Sequence, residues 1–428
     1  MVAMRQEQAD VVVVGAGGGG AVLALALAQK GLLTVVLEQA PGPPTGLRGE
    51  ILQPNGQQVL DRLGILQALP AQATNTVRRF HFLRAGGQRL CTVDYADLPA
   101  PYNRAIVTLP NVAHHTIIDA VQRHASVMLR YGTAFTGLLR EGEQVVGVTA
   151  QAQGDHLTVK AKVVVGADGV FSKVREALKI PADVHLYPDG YLIAILECSD
   201  PPTDSFYYVG HHKILGMFPA AGNKVYLFYM IRSGSMEAVK SRGIPALRQE
   251  WMEVDPRFES VYASLKDWNQ TAYMPTGRVR TPTWVADGAV LIGDAAHAMN
   301  PHASQGRMQA MVDAMTLADL LPECLAAGDC SAVRLKAFEH MRRPHVTMLQ
   351  RLADQQVFYW NTGNPVVALL RDRVFQTLDR NARLRYQVLS TTAGLRKTAP
   401  FTLIDRMIAA GFLPDVRANQ IAEHPVSQ

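Results

Sequence analysis

Glycines and an acidic residue near the start of the chain have a spacing that could hold the pyrophosphate and ribose of a dinucleotide. Gly15, Gly17 and Gly20 match the pattern GxGxxG, and Glu38 follows Gly15 by 23 residues. In this pattern the first glycine makes a tight turn, the second lets the backbone approach a pyrophosphate, and the third lets a helix pack closely on a strand. An acid at this distance can accept hydrogen bonds from the ribose of adenosine. The spacing therefore predicts a dinucleotide site but does not distinguish NAD from FAD.

The residues around these glycines predict a strand, a helix and a second strand in that order. Residues 11–14 form a β-branched apolar run, which is typical of a strand buried on both faces. Residues 21–28 are good helix formers that predict a buried helix ending near Gly31, and residues 33–37 predict the second strand. A helix that begins after the glycines directs free N–H groups and the positive end of its dipole toward phosphates.

Two later segments repeat the order of a buried strand, a turn and a helix. Segment 162–175 contains the pair Asp168-Gly169 at its turn, and segment 289–306 contains the pair Gly293-Asp294. Either pair alone carries no information. Three such turns, each following a buried strand, predict that strand ends and helix N-termini converge on one ligand.

With the three motifs in this order, the chain resembles the class A flavoprotein monooxygenases, which include para-hydroxybenzoate-hydroxylase-like and ubiquinone-biosynthesis hydroxylases. The resemblance covers residues 10–345. It implies an α/β fold with a Rossmann-like FAD-binding domain of the glutathione-reductase type. It also implies FAD as the cofactor, NAD(P)H as a transient reductant, and hydroxylation of a small apolar or aromatic molecule by molecular oxygen through a flavin C4a-hydroperoxide.

The resemblance also implies roles for individual residues. Asp294 would accept a hydrogen bond from a ribityl hydroxyl, and Pro301 would lie against the isoalloxazine ring. The helix near Gly306 would direct N–H groups at the flavin pyrimidine, where negative charge collects on reduction. The full set of expected cofactor contacts is Gly15, Gly17, Gly20, Glu38, Arg48, Asn111, Asp168, Gly293, Asp294, Pro301, Ser304, Gln305 and Gly306.

Three residues are candidates for catalysis. Arg48 lies in a loop after Glu38, where the family has an arginine on the flavin side of the active site. Pro301 would lie beside the ring, and His302 follows it and could transfer a proton near neutral pH. Histidines 211 and 212 are weaker candidates for proton transfer, and Arg175 would lie near the approach of the nicotinamide.

Two positions depart from the family pattern Gly-Gln-Gly-x-Asn. Ser304 replaces a glycine, and Met308 replaces the asparagine. Serine enters positive-φ conformations less readily than glycine, and methionine offers no amide to the flavin, so Met308 is interpreted as a core residue. These departures leave two alternatives open: a flavin-dependent reductase or dehydrogenase of the prenyl or polyketide type, and a flavin-binding protein without turnover.

A second layer is expected to cover the substrate. Residues 181–275 alternate apolar and polar side chains and predict antiparallel strands, and residues 79–100 predict a hairpin of the same sheet. Core packing is the more common role for aromatic residues there, and strand alternation prevents all of them from facing the same way. The substrate candidates are Tyr208, Met217, Phe218 and Phe228.

The last part of the chain predicts helices at 346–359 and 366–389. This helical tail could dock on the body, form a homodimer, or contact a membrane through the apolar segment 401–413. The expected domains are an FAD-binding domain (1–78, 101–180 and 276–345), a β-sheet substrate domain (79–100 and 181–275) and a helical C-terminal region (346–428).

The composition excludes other classes of protein. The chain has 428 residues and a formal charge of +5, with basic residues dispersed in a way that does not indicate nucleic acid. Its four cysteines form no CxxC pair, and no HxH or HExxH spacing predicts a metal. Neither a zinc site nor a disulfide framework is indicated, and we expect a reducing, cytoplasmic compartment.

Overall fold

The computed structural model describes residues 4–47, 50–152 and 154–421. The strands of the first half of the described chain are β1 (Met4–Val14), β2 (Thr34–Leu37), β3 (Glu50–Leu52), β4 (Thr74–Val77), β5 (Arg79–Arg84), β6 (Arg89–Asp94), β7 (Ala105–Thr108), β8 (Val127–Arg130), β9 (Thr133–Glu141), β10 (Gln144–Ala152) and β11 (Asp155–Gly166). Those of the second half are β12 (Asp183–Leu186), β13 (Asp189–Glu197), β14 (Ser205–Val209), β15 (Leu215–Ala220), β16 (Lys224–Arg232), β17 (Thr271–Met274), β18 (Gly277–Arg280), β19 (Val285–Ala286) and β20 (Ala289–Leu291).

The α-helices are numbered in the same way. They are α1 (Gly18–Gln29), α2 (Pro54–Arg62), α3 (Val112–Gln122), α4 (Lys173–Ala177), α5 (Met236–Val254), α6 (Glu259–Ala263), α7 (Asp294–His297), α8 (Gly306–Ala326), α9 (Ala332–Trp360), α10 (Pro365–Arg380), α11 (Ala382–Thr392) and α12 (Leu403–Ala409).

A mostly parallel sheet forms the centre of the cofactor domain, with strand order β19-β20-β11-β1-β2-β8. Strand β1 pairs in parallel with β11, which places Val14 opposite Gly166, and β11 pairs in parallel with β20, which places Gly166 opposite Leu291. The three motif turns therefore leave neighbouring strands at one edge of the sheet. Ligands bind outside the carboxyl ends of strands in open α/β sheets, so this edge is the expected site.

Helix α1 is buried along nearly its whole length beneath α8 and α3. It begins at Gly18, three residues before the predicted start, because the glycines themselves form the first turn. A side chain at Gly20 would come within 1.9 Å of the Gly15 carbonyl oxygen, so the helix could not approach the strand with any larger residue there. Strand β1 extends further toward the N-terminus than predicted, and pairs with β11 from Met4 onward.

The second sheet has strand order β17-β13-β16-β15-β14-β5-β6. It contains the predicted hairpin as β5 and β6, although β5 joins β14 in parallel rather than antiparallel pairing. One face packs under α5 and α6, and the other faces the cofactor domain and the C-terminal helices. The α/β fold class with an added β-sheet layer and helical tail is confirmed.

The C-terminal helices dock on the body through the second sheet. Phe375 of α10 stacks on Phe82 of β5 with ring centroids 5.1 Å apart, and Leu389 and Ile408 enter the same buried cluster. Helix α9 is longer than predicted, since it runs without interruption through Pro344. The predicted helix 366–389 is divided instead at Asn381, whose side chain caps the N-terminus of α11. No helix in the described part of the chain is long and apolar enough to cross a membrane.

Candidate active site

The glycine turn has the geometry of a site where a ligand can approach the backbone. Gly15 has a φ of +101°, and a side chain there would lie 2.5 Å from the Ala167 carbonyl oxygen, so the turn lies directly on the second motif. Gly17 is the N-cap of α1. A Cβ atom at Gly17 would meet no described atom within 4 Å, which leaves open space beside the helix N-terminus.

Glu38 lies beside this turn at the end of β2. Its carboxylate accepts hydrogen bonds from the backbone N–H of Ala16 at 2.9 Å and of Ala40 at 2.8 Å. These bonds hold a half-exposed carboxylate next to the open side of the glycines. The arrangement is suited to the hydroxyl groups of a ribose.

Asp168 stabilises the helix that follows it. Its carboxylate accepts hydrogen bonds from the Ser172 hydroxyl and from the Val174 backbone N–H, the second at 3.1 Å. Arg175 is also turned inward, since its guanidinium donates to the carbonyl oxygens of Ala295 and Val170. Asp168 thus stabilises the turn within the second motif, and Arg175 holds this motif against the third, which are structural uses that the resemblance did not imply.

The first and third motifs meet on α8. A Cβ atom at Gly19 would lie 3.2 Å from the Ala310 side chain, and one at Gly293 would lie 2.9 Å from it. Gly293 has a φ of +58° and donates its N–H to Asp313 at 3.0 Å. Asp294, the first residue of α7, is exposed. The three predicted motifs therefore converge at one edge of the central sheet.

The loop before α8 contains both departures from the family pattern. Pro301 begins a short 3₁₀ turn that ends at Ser304, and Ser304 adopts a φ of +52°. Serine thus takes the left-handed conformation that glycine would adopt more cheaply. Gly306 then begins α8, and no side chain of the described residues caps its first turn. The first N–H groups of a helix have no acceptor within the helix itself.

Met308 fills a hollow rather than facing a ligand. Its side chain is buried, and its sulphur would lie only 2.1 Å from a Cβ atom at Gly56 of α2. The absence of a side chain at Gly56 creates the space that Met308 occupies. The interpretation of Met308 as a core residue agrees with this position.

Gln305 uses its side chain within the protein. Its Oε1 accepts hydrogen bonds from Asn55 at 2.9 Å and from Gln309 at 2.7 Å, and its Nε2 donates to the carbonyl oxygen of Thr392 at 2.7 Å. The loop before α8 is therefore tied to α2 and to the end of α11. Any contact of Gln305 with a cofactor would have to come from its backbone.

A buried ion pair continues this network beneath the third motif. Arg342 donates to Gln309 and to Asp313, and Asp313 also bonds His297. Burial alone would raise the pKa of Asp313, but the charges of His297 and Arg342 lower this pKa to about 2. The ionised Asp313 fixes the Gly293 N–H, and through it the turn that begins α7.

His302 is held between two tyrosines. Its Nε2 lies 2.7 Å from the Tyr191 hydroxyl and its Nδ1 lies 2.8 Å from the Tyr207 hydroxyl. Burial lowers the pKa of His302 to about 3, so its imidazole is neutral near pH 7. A neutral imidazole has one donor and one acceptor, so one tyrosine donates to it and the other accepts from it. The accepting tyrosine has its own O–H to donate, and the other tyrosine is one acceptor within its reach.

Aromatic rings surround this Tyr191–His302–Tyr207 group. Trp360, the last residue of α9, meets His302 edge-on at 5.4 Å and Tyr207 at 4.9 Å. Phe228 meets Tyr191 edge-on at 5.2 Å. The face of the second sheet that carries Tyr191 and Tyr207, called the site face below, thus encloses the group together with the C-terminal helices.

A cavity of about 350 Å³ reaches this group from the surface. Its lining includes Tyr191, Asn300, Thr276, Val357 and Phe358. Asn300 is buried and accepts a hydrogen bond from the His302 backbone N–H, so the cavity adjoins the loop that begins α8. The volume is suited to a small organic molecule.

The four substrate candidates divide between the two faces of the sheet. Phe218 and Phe228 lie on the site face, with ring centroids 5.4 Å apart. Tyr208 and Met217 lie on the opposite face, in the cluster under α5. This placement corrects their assignment as substrate contacts, because successive side chains of a strand point to opposite faces. Tyr191, Tyr207 and Trp360 were not predicted as site residues, although Tyr207 is the immediate neighbour of the predicted Tyr208.

The remaining candidates lie elsewhere. Arg48 lies outside the described residues. Asn111 has a φ of +62° and donates its side-chain N–H to the Gly46 carbonyl oxygen at 2.8 Å, so it holds the loop that leads to Arg48. His211 contacts the carbonyl oxygen of Asn361, outside the group around His302. Within the described ranges, no cluster of histidine, cysteine and acidic side chains could hold a metal ion.

The chain is similar in sequence to known FAD-dependent hydroxylases. The chain matches the model of a protein family described as FAD binding domain over residues 8–353. It is 30% identical over 381 residues to 6-methylpretetramide 4-monooxygenase of Streptomyces rimosus, covering 88% of this chain and 90% of that protein. It is 25% identical over 406 residues to 3-demethoxyubiquinol 3-hydroxylase of Escherichia coli, covering 92% and 100%.

Solved structures share the fold. The p-nitrophenol 4-monooxygenase of Pseudomonas putida superposes with a TM-score of 0.80 at 18% identity, covering 92% of this chain and 100% of that one. A Pseudomonas aeruginosa protein solved in complex with 2-aminobenzoylacetate superposes with a TM-score of 0.75 at 22% identity, covering 83% and 97%. The first of these likenesses covers 92% of this chain, so it extends beyond the cofactor domain.

Proposed function

This chain belongs to the family of class A FAD-dependent monooxygenases, and from that premise we propose that it hydroxylates a small aromatic molecule with molecular oxygen and NAD(P)H. In the balanced reaction, one oxygen atom of O₂ enters the substrate and the other leaves as water. NAD(P)H supplies the two electrons, and one proton is taken up. FAD, when bound, supplies the redox chemistry that activates the oxygen.

The residues present fit FAD. The space beside Gly17 admits a pyrophosphate, and the half-exposed Glu38 is suited to the adenosine ribose. The N-terminus of α8, which the Gln305 side chain does not cap, presents the positive end of its helix dipole to the electron-accepting edge of a flavin. We propose that the backbone from Ser304 to Gly306 makes this contact, with Asp294 on the ribityl chain and Pro301 against the ring.

The Tyr191–His302–Tyr207 group is the observation that most supports hydroxylation of an aromatic ring. His302 follows Pro301 in the loop before α8, and the two tyrosines lie on the same sheet face as Phe218 and Phe228. We propose that the aromatic side chains hold a flat substrate and exclude water. The tyrosine that accepts from His302 would donate its O–H to the substrate and could move a proton through the imidazole.

The relatives suggest where to look for the substrate. The relative from Streptomyces rimosus is named for 6-methylpretetramide, so this compound is the first to test, followed by phenols and quinolones. The FAD-loaded protein should oxidise NAD(P)H faster when a true substrate is added, with hydroxylated product formed in proportion. NAD(P)H consumption that yields only hydrogen peroxide with every aromatic offered would contradict the proposal. A product that gains hydrogen rather than oxygen would establish the reductase alternative.

A further inference from the structure

Exposed apolar side chains are concentrated in the C-terminal helices. Among the residues that the structure describes, 12 of the 18 large apolar side chains that are exposed lie in residues 358–421. This segment is a small fraction of the chain, so the concentration is not the scatter expected on an ordinary surface. Exposed members of α10, of α12 and of the two residues that follow Ala410 define a tail patch: Val366, Leu369, Leu403, Ile404 and Phe412.

The two helices that carry most of these side chains contact each other. On α10, Val366, Leu369 and Arg373 follow helical spacing on the exposed side, while Phe375 and Leu378 are buried against the sheet. On α12, the outward residues alternate with buried ones in the same way. Helix α10 contacts α12, and the Arg373 guanidinium donates to the Gly411 carbonyl oxygen at 3.1 Å. This bond joins the stripe on α10 to the segment that carries Phe412.

The net charge of the molecule lies in the same region. Residues 365–421 contain nine basic and four acidic residues, an excess of five, and the whole chain has a formal charge of +5. Two of the acids, Asp405 and Asp415, are paired with Arg383, and a third, Asp372, is paired with Arg371. The exposed basic side chains of this same segment include Arg373, Arg380, Lys397, Arg406 and Arg417.

We propose that the tail patch docks onto a membrane surface that carries anionic lipids. An exposed apolar face with a cationic rim inserts shallowly among acyl chains while its arginines reach the phosphates. The charge argues against a second copy as the occupant, because a two-fold contact would bring two faces of the same positive sign together. Phe358 is exposed and also lines the cavity beside Tyr191, so docking would bring apolar surface at the cavity close to the lipid.

Vesicle flotation with the full-length, FAD-loaded protein tests this proposal without any turnover, so its outcome is separate from that of the hydroxylation assay. The probes are vesicles of phosphatidylcholine alone and of phosphatidylcholine mixed with phosphatidylglycerol. We expect binding to the anionic vesicles only, weakened by added salt. Replacing Leu369→Ser and Leu403→Ser should each weaken binding roughly tenfold. Replacing Arg380→Gln and Arg406→Gln should each weaken it roughly fivefold.

Matched controls lie outside the patch. Val333→Ser removes a large apolar side chain that is 88% exposed on α9, and Arg123→Gln removes an exposed charge after α3. Both should bind anionic vesicles as the parent does, and retained flavin absorbance and melting temperature establish that each variant is folded. Absence of binding, equal binding to neutral vesicles, or equal loss in the controls would overturn the proposal. So would a concentration-dependent dimer that Leu369→Ser dissociates, since it would identify a second copy as the occupant.

Discussion

Tyr207 and Tyr208 are neighbours in β14, yet their hydroxyl groups lie on opposite faces of the sheet. The Tyr207 hydroxyl contacts His302, and the Tyr208 hydroxyl donates to Asp255 beneath α5. Asp255 is buried and is also held by Arg257, whose side chain is 55% exposed, so an ion pair at the edge of the core backs the Tyr208 hydroxyl. The two tyrosines therefore form a natural matched pair for separating catalysis from stability.

Replacing Tyr207→Phe should cost about 1–3 kcal/mol of unfolding free energy, since the buried His302 Nδ1 loses its partner, and it should lower kcat on the order of a hundredfold. The reason is that the proton path through His302 loses one end while the ring stays in place. Replacing Tyr208→Phe should cost a similar amount of unfolding free energy, about 1–3 kcal/mol, but leave kcat within about twofold. Steady-state kinetics and denaturant unfolding of both variants provide the comparison. Equal losses of kcat in the two variants would remove Tyr207 from the mechanism.

His302 predicts a specific dependence of stability on pH. Its folded pKa of about 3 lies below the unfolded value of 6.5, because burial disfavours the charged form. Between these values the unfolded chain binds a proton that the folded protein does not, so stability falls as pH falls from 6.5 toward about 3. Relative to His302→Gln, the parent should lose about 1.4 kcal/mol more per pH unit in this window.

Unfolding in denaturant at pH values of about 7, 6 and 5 measures this difference. His114 and His345 also have pKa values lowered to about 4 by burial, but they are present in both proteins and cancel. Parallel curves for the parent and His302→Gln below pH 6.5 would mean that His302 is not held neutral in the folded state.

At the scale of elements, the glycines of the first motif make two separable contributions. Gly17 has a φ of −66°, which alanine adopts without strain, and open space where a Cβ atom would go. Gly17→Ala should therefore change the stability of the FAD-free protein by less than about 0.5 kcal/mol. It should weaken FAD binding at least tenfold, since the methyl group would occupy the space proposed for the pyrophosphate.

Gly20→Ala should instead act mainly on the stability of the FAD-free protein. Its methyl group would meet the Gly15 carbonyl oxygen, so the FAD-free protein should lose roughly 1–3 kcal/mol or more of unfolding free energy. Thermal unfolding of the FAD-free proteins and fluorescence titration with FAD measure both effects. Unchanged FAD affinity in Gly17→Ala would place the pyrophosphate elsewhere.

The C-terminal helices should stabilise the loop that begins α8. Gln305 bonds Asn55 of α2, Gln309 of α8 and the carbonyl oxygen of Thr392 in α11. Gln305→Leu leaves these buried groups without partners, so it should cost about 2–4 kcal/mol and speed the release of FAD. Gln376→Leu, at an exposed position of α10, is the control. If both variants release FAD at the parental rate, the network does not support the flavin loop.

Features determined by residues close together in the sequence could be predicted, and features determined by residues far apart in the sequence could not. The three strand-turn-helix motifs were predictable because each lies within about twenty residues, and their turns depend on local backbone geometry. Which face of β14 meets the site could not be predicted, because it depends on the pairing of Tyr207 with Phe82. The bond between Asn55 and Gln305 joins residues 250 positions apart. Nothing local in the sequence indicates such a pair.

At the scale of the whole molecule, three layers meet at the proposed active site. The central sheet contributes the three motif turns, the second sheet contributes Tyr191 and Tyr207, and the C-terminal helices contribute Trp360. The sequence predicted the first two layers from their different periodicities. It left the position of the tail open among docking, dimerisation and membrane contact, because amphipathic helices carry an apolar stripe in each case.

Oxygen transfer is the claim on which this account depends, and labelled dioxygen tests it most directly. The FAD-loaded protein is supplied with NAD(P)H, an aromatic substrate and isotopically labelled dioxygen. The mass of the product is then measured by mass spectrometry. The account predicts one labelled oxygen atom in each molecule of hydroxylated product. A product that carries oxygen from water, or a product that gains only hydrogen, would contradict it.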